Sequence, residues 1–257
     1  MHASLVQTDH RPWPLPRGPW AMTQTWHDLL FAHWPVDAVA LARACALPDA
    51  LELDLYDGRA WLGIVPFRMS GVRVRALPPL PGAHAFPELN VRTYVRVRAR
   101  PEEKPGVWFL SLDATSALAV AAARAWFALP YFRARMSCRA DGERIHYASD
   151  RSDARGAASA LALEYEPTGP VERARRGSFE SWATDRYCLY ALTRTGKLLR
   201  SEIHHLPWPL QPARARWSAN TAARAHRLEL PDDRPPHLAF ARRIEVAIWA
   251  PRRVARA

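Results

Sequence analysis

The sequence predicts an α+β protein built on a mainly antiparallel, curved β-barrel with a few short helices. Several stretches alternate polar and apolar residues with a period of two, which is typical of strands with two different faces. Tight-turn pairs, Asp57-Gly58, Asp141-Gly142 and Thr195-Gly196, separate many of these stretches. Roughly ten strands against three or four short helices favour a sheet that curls on itself.

At 257 residues the chain can bury a full core, and β-barrels of this length commonly form one domain. We expect that domain over residues 22–250, after a disordered leader at 1–21 and before a basic tail at 251–257. The leader places four prolines around Trp13 and Trp20 and lacks the apolar core of a secretory signal. No apolar run approaches the ~20 residues that span a bilayer, so we expect no membrane association.

Three cysteines, odd in number and widely spaced, predict free thiols in a reducing compartment and a cytoplasmic location. The net charge of +11 comes almost wholly from arginine, because Lys104 and Lys197 are the two lysines. The arginines are scattered and no RNP, helix-turn-helix or Cys/His finger motif accompanies them, so we expect no specific nucleic-acid partner. The sequence leaves the oligomeric state open.

The chain in order gives the expected elements. We predict a proline-rich loop over 71–87, on the surface or across a pocket mouth, and Pro66 indicates an edge strand or a bulge. Helices are expected at 36–45, 116–127, 178–186 and 222–227. Strands are expected at 24–34, 51–55 paired with 59–69, 87–97 paired with 107–113, 133–139 paired with 144–149, 160–166, 187–193 paired with 197–205, and 237–250, with a bend at 206–212.

The predicted strand at 87–97 carries the candidate site. Glu88, Asn90, Arg92 and Tyr94 share one parity, and apolar residues share the other. The polar set is either a solvated outer face or a barrel lining that orients a small polar ligand. Desolvation would raise the pKa of Glu88, whereas pairing with Arg92 would lower it.

Other polar residues leave similar alternatives open. Arg68 is either a solvated or a pocket residue. His204 and His205 are adjacent on a predicted strand, so they point to opposite faces and cannot share one metal. A pocket role is left open for one of the two histidines, while structural or surface roles are expected. Motifs for phosphate loops, nucleophile elbows and metal sites are absent, so we expect neither a cofactor nor a metal.

A family resemblance covers roughly residues 22–250. The segments TWHDLLFAHWPV, DGRAWLGIVPFRMSGV, FPELNVRTYV, GVWFLSLDA, LPYFRARM and WPLQPA resemble the uncharacterised bacterial YqjF-like family, a domain of unknown function. That family is distantly similar to the acetoacetate decarboxylase-like superfamily, whose fold is a curved antiparallel barrel around a small pocket. RAWFALPYFRA, residues 124–134, is similar to the decarboxylase stretch that holds its imine-forming lysine, and Glu88 resembles a pocket glutamate of that enzyme.

The departures from that superfamily define the functional expectation. Tyr131 and Phe132 stand where the decarboxylase has its lysine pair, and neither can form an imine. We expect Lys104 and Lys197 to be exposed. The resemblance therefore implies a barrel that binds a small carboxylate or carbonyl compound, held by Arg92 or Arg68 near Glu88 and Tyr131.

Two alternatives stay open, and the sequence does not establish whether the protein is an enzyme. One is a lyase- or hydratase-type enzyme in which Glu88 and Tyr131 act as acid and base. The other is an interaction protein that uses Trp13 and Trp20 of its leader as the contact element.

Overall fold

A computed structural model describes residues 3–78, 82, 84–100, 102–231 and 234–254. Pro79 and Pro81 of the predicted proline-rich loop, and residues 255–257 of the predicted tail, lie outside the described residues. The helices are α1 Ala38–Cys45, α2 Ala117–Trp126 and α3 Phe179–Thr184, with short 3-10 turns at Ala3–Val6 and Arg224–His226. The strands are β1 Met22–Val36, β2 Leu51–Leu53, β3 Ala60–Val74, β4 Phe86–Val97, β5 Gly106–Ala114, β6 Tyr131–Asp141, β7 Arg144–Arg151, β8 Ala160–Pro167, β9 Cys188–Leu192, β10 Leu198–His204, β11 Leu210–Asn220, β12 His237–Ile248 and β13 Arg252–Arg253. The predicted α+β class is confirmed.

The strands close into two rings that share a wall. Nine strands, β5–β6–β7–β8–β11–β12–β1–β3–β4, form a closed mixed barrel in which the β5–β6 pairing is parallel. A second circuit leaves β12 through β10 and β9 and returns to β5, which gives a ring of seven strands. The two rings have β1, β3, β4, β5 and β12 in common. These five strands therefore have one face toward each ring, so both of their faces are covered.

The two rings are filled differently. Large side chains from the shared wall and from β7 and β8, such as Trp34, Ile64, Tyr147 and Tyr165, pack together as the core of the nine-strand barrel. A second cluster, which includes Phe67, lines the seven-strand ring. That ring also encloses a cavity, described below.

Local signals fix the helix starts. Asp37 accepts a hydrogen bond from the Ala40 backbone N–H, and Ser116 and Ser178 cap the next two helices in the same way. Each cap satisfies one of the backbone donors that a helix leaves unpaired at its first turn.

The predicted bulge near Pro66 is confirmed. The pairing of β1 with β3 shifts register between His27 and Ala32, opposite Pro66, and Asp28 in this stretch has a φ of 55°.

Two strand assignments were wrong. Leu51–Leu53 pairs with the end of β4 and not with β3, although Asp57-Gly58 still forms a tight turn beside the isolated Tyr56–Arg59 bridge. The stretch Leu210–Asn220 is a strand and not part of a bend. Prolines around Trp208 suggested the bend, yet Pro212 lies at the end of the short β11–β12 pairing, where a missing N–H is tolerated. The helix expected at 222–227 is only a 3-10 turn.

The predicted leader is ordered against the sheet from residue 3 onward, contrary to the expectation of disorder. Arg11 is buried, with its guanidinium 4.3 Å from the centre of the Tyr187 ring, and its Nη1 donates to the Ile203 carbonyl over 3.0 Å. Trp20 is half-buried beneath Arg75. The prolines of this segment cannot donate the backbone hydrogen bonds of a strand, but side-chain contacts still hold the segment in place.

Within the described residues, no α-helix has both the length and the apolar character needed to cross a bilayer. Cys45, Cys138 and Cys188 are free thiols, as the sequence predicted.

Candidate functional site

The seven-strand ring encloses a cavity of about 190 Å³. Its walls are mainly apolar and come from β1, β3, β4, β5, β10 and β12, while α2 and the segment after β3 border it on one side. The polar side chains that reach it are few: Gln24, Glu88, Asn90, Arg92, Tyr131, Thr184, Arg186 and His205. A largely apolar cavity with a few converging polar groups is typical of a small-molecule site.

Glu88, Asn90 and Arg92 come from the predicted parity of β4, and all three are buried at the cavity. The Tyr131 hydroxyl donates to Glu88 Oε2 over 2.7 Å. Burial raises the pKa of Glu88 to about 8, against the lowering effect of hydrogen bonds from Tyr131 and Asn90. Burial and the neighbouring Glu88 also raise the pKa of Tyr131 well above its ordinary value, so the phenol stays protonated and acts as a donor.

Arg92 is only 8% exposed, and no carboxylate of the described residues lies within ion-pair distance of it. Its Nε has no hydrogen-bond partner, and its Nη2 lies 3.5 Å from the Tyr94 hydroxyl oxygen. Gly63 is directly opposite on β3, and a Cβ there would lie 3.3 Å from the Arg92 Cγ. The missing side chain therefore makes room for the His33 ring and the stem of Arg92, whose buried guanidinium charge is not balanced by a carboxylate of the described residues.

A hydrogen-bonded chain behind Arg92 leads to the surface. Tyr94 was predicted as a ligand-site residue, but it is fully buried and is not among the described residues that line the cavity. Its hydroxyl lies 2.6 Å from His33 Nε2. His33 Nδ1 lies 3.0 Å from His237 Nδ1, and His237 Nε2 is 3.6 Å from Glu180.

The contacts along this hydrogen-bonded series bear on where the two histidine rings carry their protons. Burial lowers the pKa of His237 to about 4 and that of His33 well below its ordinary value, so both rings are neutral. One tautomer assignment fits these contacts: if the His237 proton is on Nε2, toward Glu180, His33 donates from Nδ1 to His237, and His33 Nε2 accepts from Tyr94. The Tyr94 oxygen is left to accept from Arg92, which orients the guanidinium.

A second guanidinium, Arg186, reaches the cavity and was not predicted from the sequence. Its Nη1 donates to Asp54 Oδ2 over 2.6 Å, while its Nη2 is buried without a partner. Arg92 and Arg186 lie 5.8 Å and 4.9 Å from the centre of the same Tyr94 ring. The two residues are 94 positions apart, so no local pattern connects them.

Arg68 lies outside the cavity, which contradicts its prediction as a ligand-site residue. Its side chain is 42% exposed, and its Nε donates to Asp28 Oδ2 over 2.8 Å. In the β3–β4 register Arg68 faces Pro87, whereas Phe67 faces Glu88. Directly opposed residues share a face, so Arg68 belongs to the other side of the sheet.

The remaining candidates are placed as follows. Of the histidine pair, His205 borders the cavity, and burial lowers its pKa to about 3.

Lys104 is mostly buried and pairs with Glu202, so its predicted exposure was wrong; Lys197 is exposed as expected. Neither lysine is among the described residues that line the cavity. Across the described ranges, no three His, Cys, Asp or Glu side chains converge as metal ligands.

Comparison with known sequences gives two matches that cover most of the chain. The model of the DUF2071 family, described as an uncharacterized conserved protein, matches residues 23–245. The chain is 46% identical over 235 residues to the uncharacterized protein YqjF of Bacillus subtilis strain 168, which covers 91% of this chain and 93% of the relative.

Solved structures share the fold at low identity. The enduracididine biosynthesis enzyme MppR complexed with pyruvate aligns with a TM-score of 0.62 and 12% identity over 96% of this chain and 93% of that one. Acetoacetate decarboxylase from Legionella pneumophila strain Philadelphia 1 aligns with a TM-score of 0.58 and 13% identity over 96% and 93% of the two chains. These likenesses show that the barrel is acetoacetate decarboxylase-like.

Proposed function

The chain belongs to the DUF2071 family and has an acetoacetate decarboxylase-like barrel, and from this premise we propose that it binds a small carboxylate or carbonyl compound in the seven-strand ring. The observation that carries the proposal is the buried Arg92, which faces the cavity with no carboxylate of the described residues in ion-pair distance.

Charge balance supports an anionic ligand. A buried ion without a partner is costly, because it loses its hydration and gains little in return. Glu88 does not supply the missing negative charge near neutral pH, because a pKa of about 8 keeps most of it protonated. A carboxylate ligand would offset the cost, and the unpaired Nε of Arg92 and Nη2 of Arg186 are free donors for its oxygens.

Imine chemistry is not part of the proposal. The sequence resemblance places Tyr131 at the position of a decarboxylase lysine, and the Tyr131 hydroxyl donates to Glu88, while Lys104 is engaged by Glu202. MppR was captured with pyruvate, a small carboxylate with a carbonyl group, and this supports pyruvate as a first probe for the present cavity.

Binding of pyruvate and acetoacetate to the Arg92→Met variant tests the proposal. Methionine keeps much of the apolar stem and removes the charge, so we expect affinity to fall by about 30-fold or more, the typical loss when a buried charge pair loses one member. Arg68→Met is the matched control and should bind like the parent protein. Titration calorimetry measures both, and unchanged affinity in Arg92→Met would overturn the assignment.

A proton-transfer enzyme is the second candidate, favoured by the Glu88–Tyr131 contact of 2.7 Å at the buried end of the cavity. An ionised Glu88 could remove a proton from the carbon next to a ligand carbonyl, and the protonated carboxyl could return it. Exchange of the methyl protons of pyruvate in D₂O, followed by NMR, should then accelerate as pH rises through about 8, because the base is the ionised form. The same acceleration in Glu88→Gln would exclude this role.

A further inference from the structure

We propose that the ligand is an amphipathic carboxylate, with its head at Arg92 and an apolar tail that runs along α2 to the cavity mouth. This inference rests on the proposed carboxylate site and adds the class of molecule that the rest of the cavity fits.

An exposure gradient gives the cavity its direction. Glu88 is 3% exposed and Arg92 8% exposed, so the polar groups lie at the closed end. Leu77, Leu118 and Trp126 also line the cavity, yet they are 50%, 52% and 43% exposed. The open end is therefore apolar, which is the reverse of a site that holds a wholly polar molecule.

Helix α2 borders the open end of the cavity, where Ala122 is exposed together with Leu118 and Trp126. Leu118, Ala122 and Trp126 recur every four residues and all border the cavity, so one helix face is turned toward it. Ala119 and Ala123 flank that face and leave space instead of filling it. Ser116 caps the start of α2 by accepting a hydrogen bond from the Ala119 backbone N–H, so α2 is a complete helix.

The opposite walls are also apolar. Trp26, Phe109, Ile203 and Trp208 also line the cavity. They offer little hydrogen bonding to a hydroxyl-rich ligand, whereas a hydrocarbon tail would remove their surfaces from water. Each methylene transferred from water to such a wall should tighten binding about fourfold.

A homologous series tests this directly. Butanoate, hexanoate, octanoate and decanoate are titrated calorimetrically into the full-length protein, with octanol as the uncharged control. We expect roughly 16-fold tighter binding for each two carbons added until the tail reaches the mouth. Octanol should bind far more weakly than octanoate.

Two variants of α2 locate the tail. Ala122→Phe should narrow the route and remove most of the gain from chain length, while butanoate affinity stays unchanged. Ala125→Phe is the matched control, because Ala125 is exposed on the same helix like Ala122 but is not among the residues that line the cavity. It should behave like the parent protein.

The outcomes separate this inference from the proposed function. Binding of butanoate that depends on Arg92 but does not tighten with chain length would overturn the amphipathic class alone. Binding of octanoate and octanol with equal affinity, unaffected by Arg92→Met, would overturn the carboxylate head site itself. Equal effects of the Ala122 and Ala125 variants would overturn the route along α2.

Discussion

Glu88 combines a ligand-site position with a cost in stability. Its pKa is raised by burial from 4.5 to about 8, so between these values the folded protein holds a proton that the unfolded chain releases. The free energy of unfolding therefore falls as pH rises through this window, by about 1.4 kcal/mol per pH unit. Glutamine cannot ionise but still accepts a hydrogen bond from Tyr131. We expect Glu88→Gln to be more stable than the parent by about 3 kcal/mol at pH 7, and by much less at pH 5.

Urea unfolding at the two pH values measures this difference. Glu229→Gln is a suitable control, because its carboxylate is 78% exposed and should change stability little at either pH. A gain for Glu88→Gln that is the same at pH 5 and pH 7 would contradict the raised pKa.

At the same scale, the sequence could predict the site only where one strand carries it. Alternation placed Glu88, Asn90 and Arg92 on one face, and the structure brings all three to the cavity. The prediction for Arg68 was wrong because the face on which a β3 residue lies depends on the β3–β4 register, which a single sequence does not give. His33 and Arg186 were missed because their roles arise from contacts across the fold and not from any local pattern.

Among the elements, the segment before β1 differs most from its prediction. Arg11 donates to the Ile203 carbonyl and to His204 Nδ1 and stacks on Tyr187, so residues 3–21 cover part of β10. Arg11→Ala would remove these buried hydrogen bonds and the contact with the Tyr187 ring, and should lower the free energy of unfolding by about 2 kcal/mol. Arg17→Ala is the control, because that side chain is exposed and its substitution should be neutral within about 0.5 kcal/mol. Equal melting temperatures for the two variants would show that the segment does not support the barrel.

The same element explains why a proline-rich composition misled the prediction. Proline excludes regular strand pairing, and it was therefore taken as a sign of disorder, but side chains such as Arg11 anchor an irregular segment equally well.

The wrong strand pairing predicted for residues 51–53 has a different cause. Residues 51–53 lie close in sequence to β3, yet their partners are Val95–Val97 of β4, a long-range pairing that no local pattern predicts.

At the level of the whole molecule, the shared wall accounts for a site that a simple barrel would not offer. Polar–apolar alternation on β4 left open whether the polar face is solvated or lines a cavity, and the structure buries both faces of most of the strand. Leu89, Val91 and Val95 belong to the filled core of the nine-strand barrel, while Glu88 and Arg92 face the cavity of the smaller ring. The nine-strand side of the sheet is therefore a filled core, whereas the seven-strand side combines a smaller apolar cluster with a cavity that holds polar groups.

This division predicts that the two faces respond differently to the same substitution. Ile64 lies on β3 in the filled core and is fully buried, so Ile64→Ala opens a new void and should cost about 4 kcal/mol. Ile248 on β12 borders the existing cavity, so Ile248→Ala loses the transfer energy of the removed atoms without a comparable new void and should cost about half as much. Chemical denaturation measures both costs. Octanoate affinity should fall only in Ile248→Ala, because only that side chain touches the proposed tail. Equal losses of stability in the two variants would mean that both rings are packed alike, and the ligand cavity would lose its structural basis.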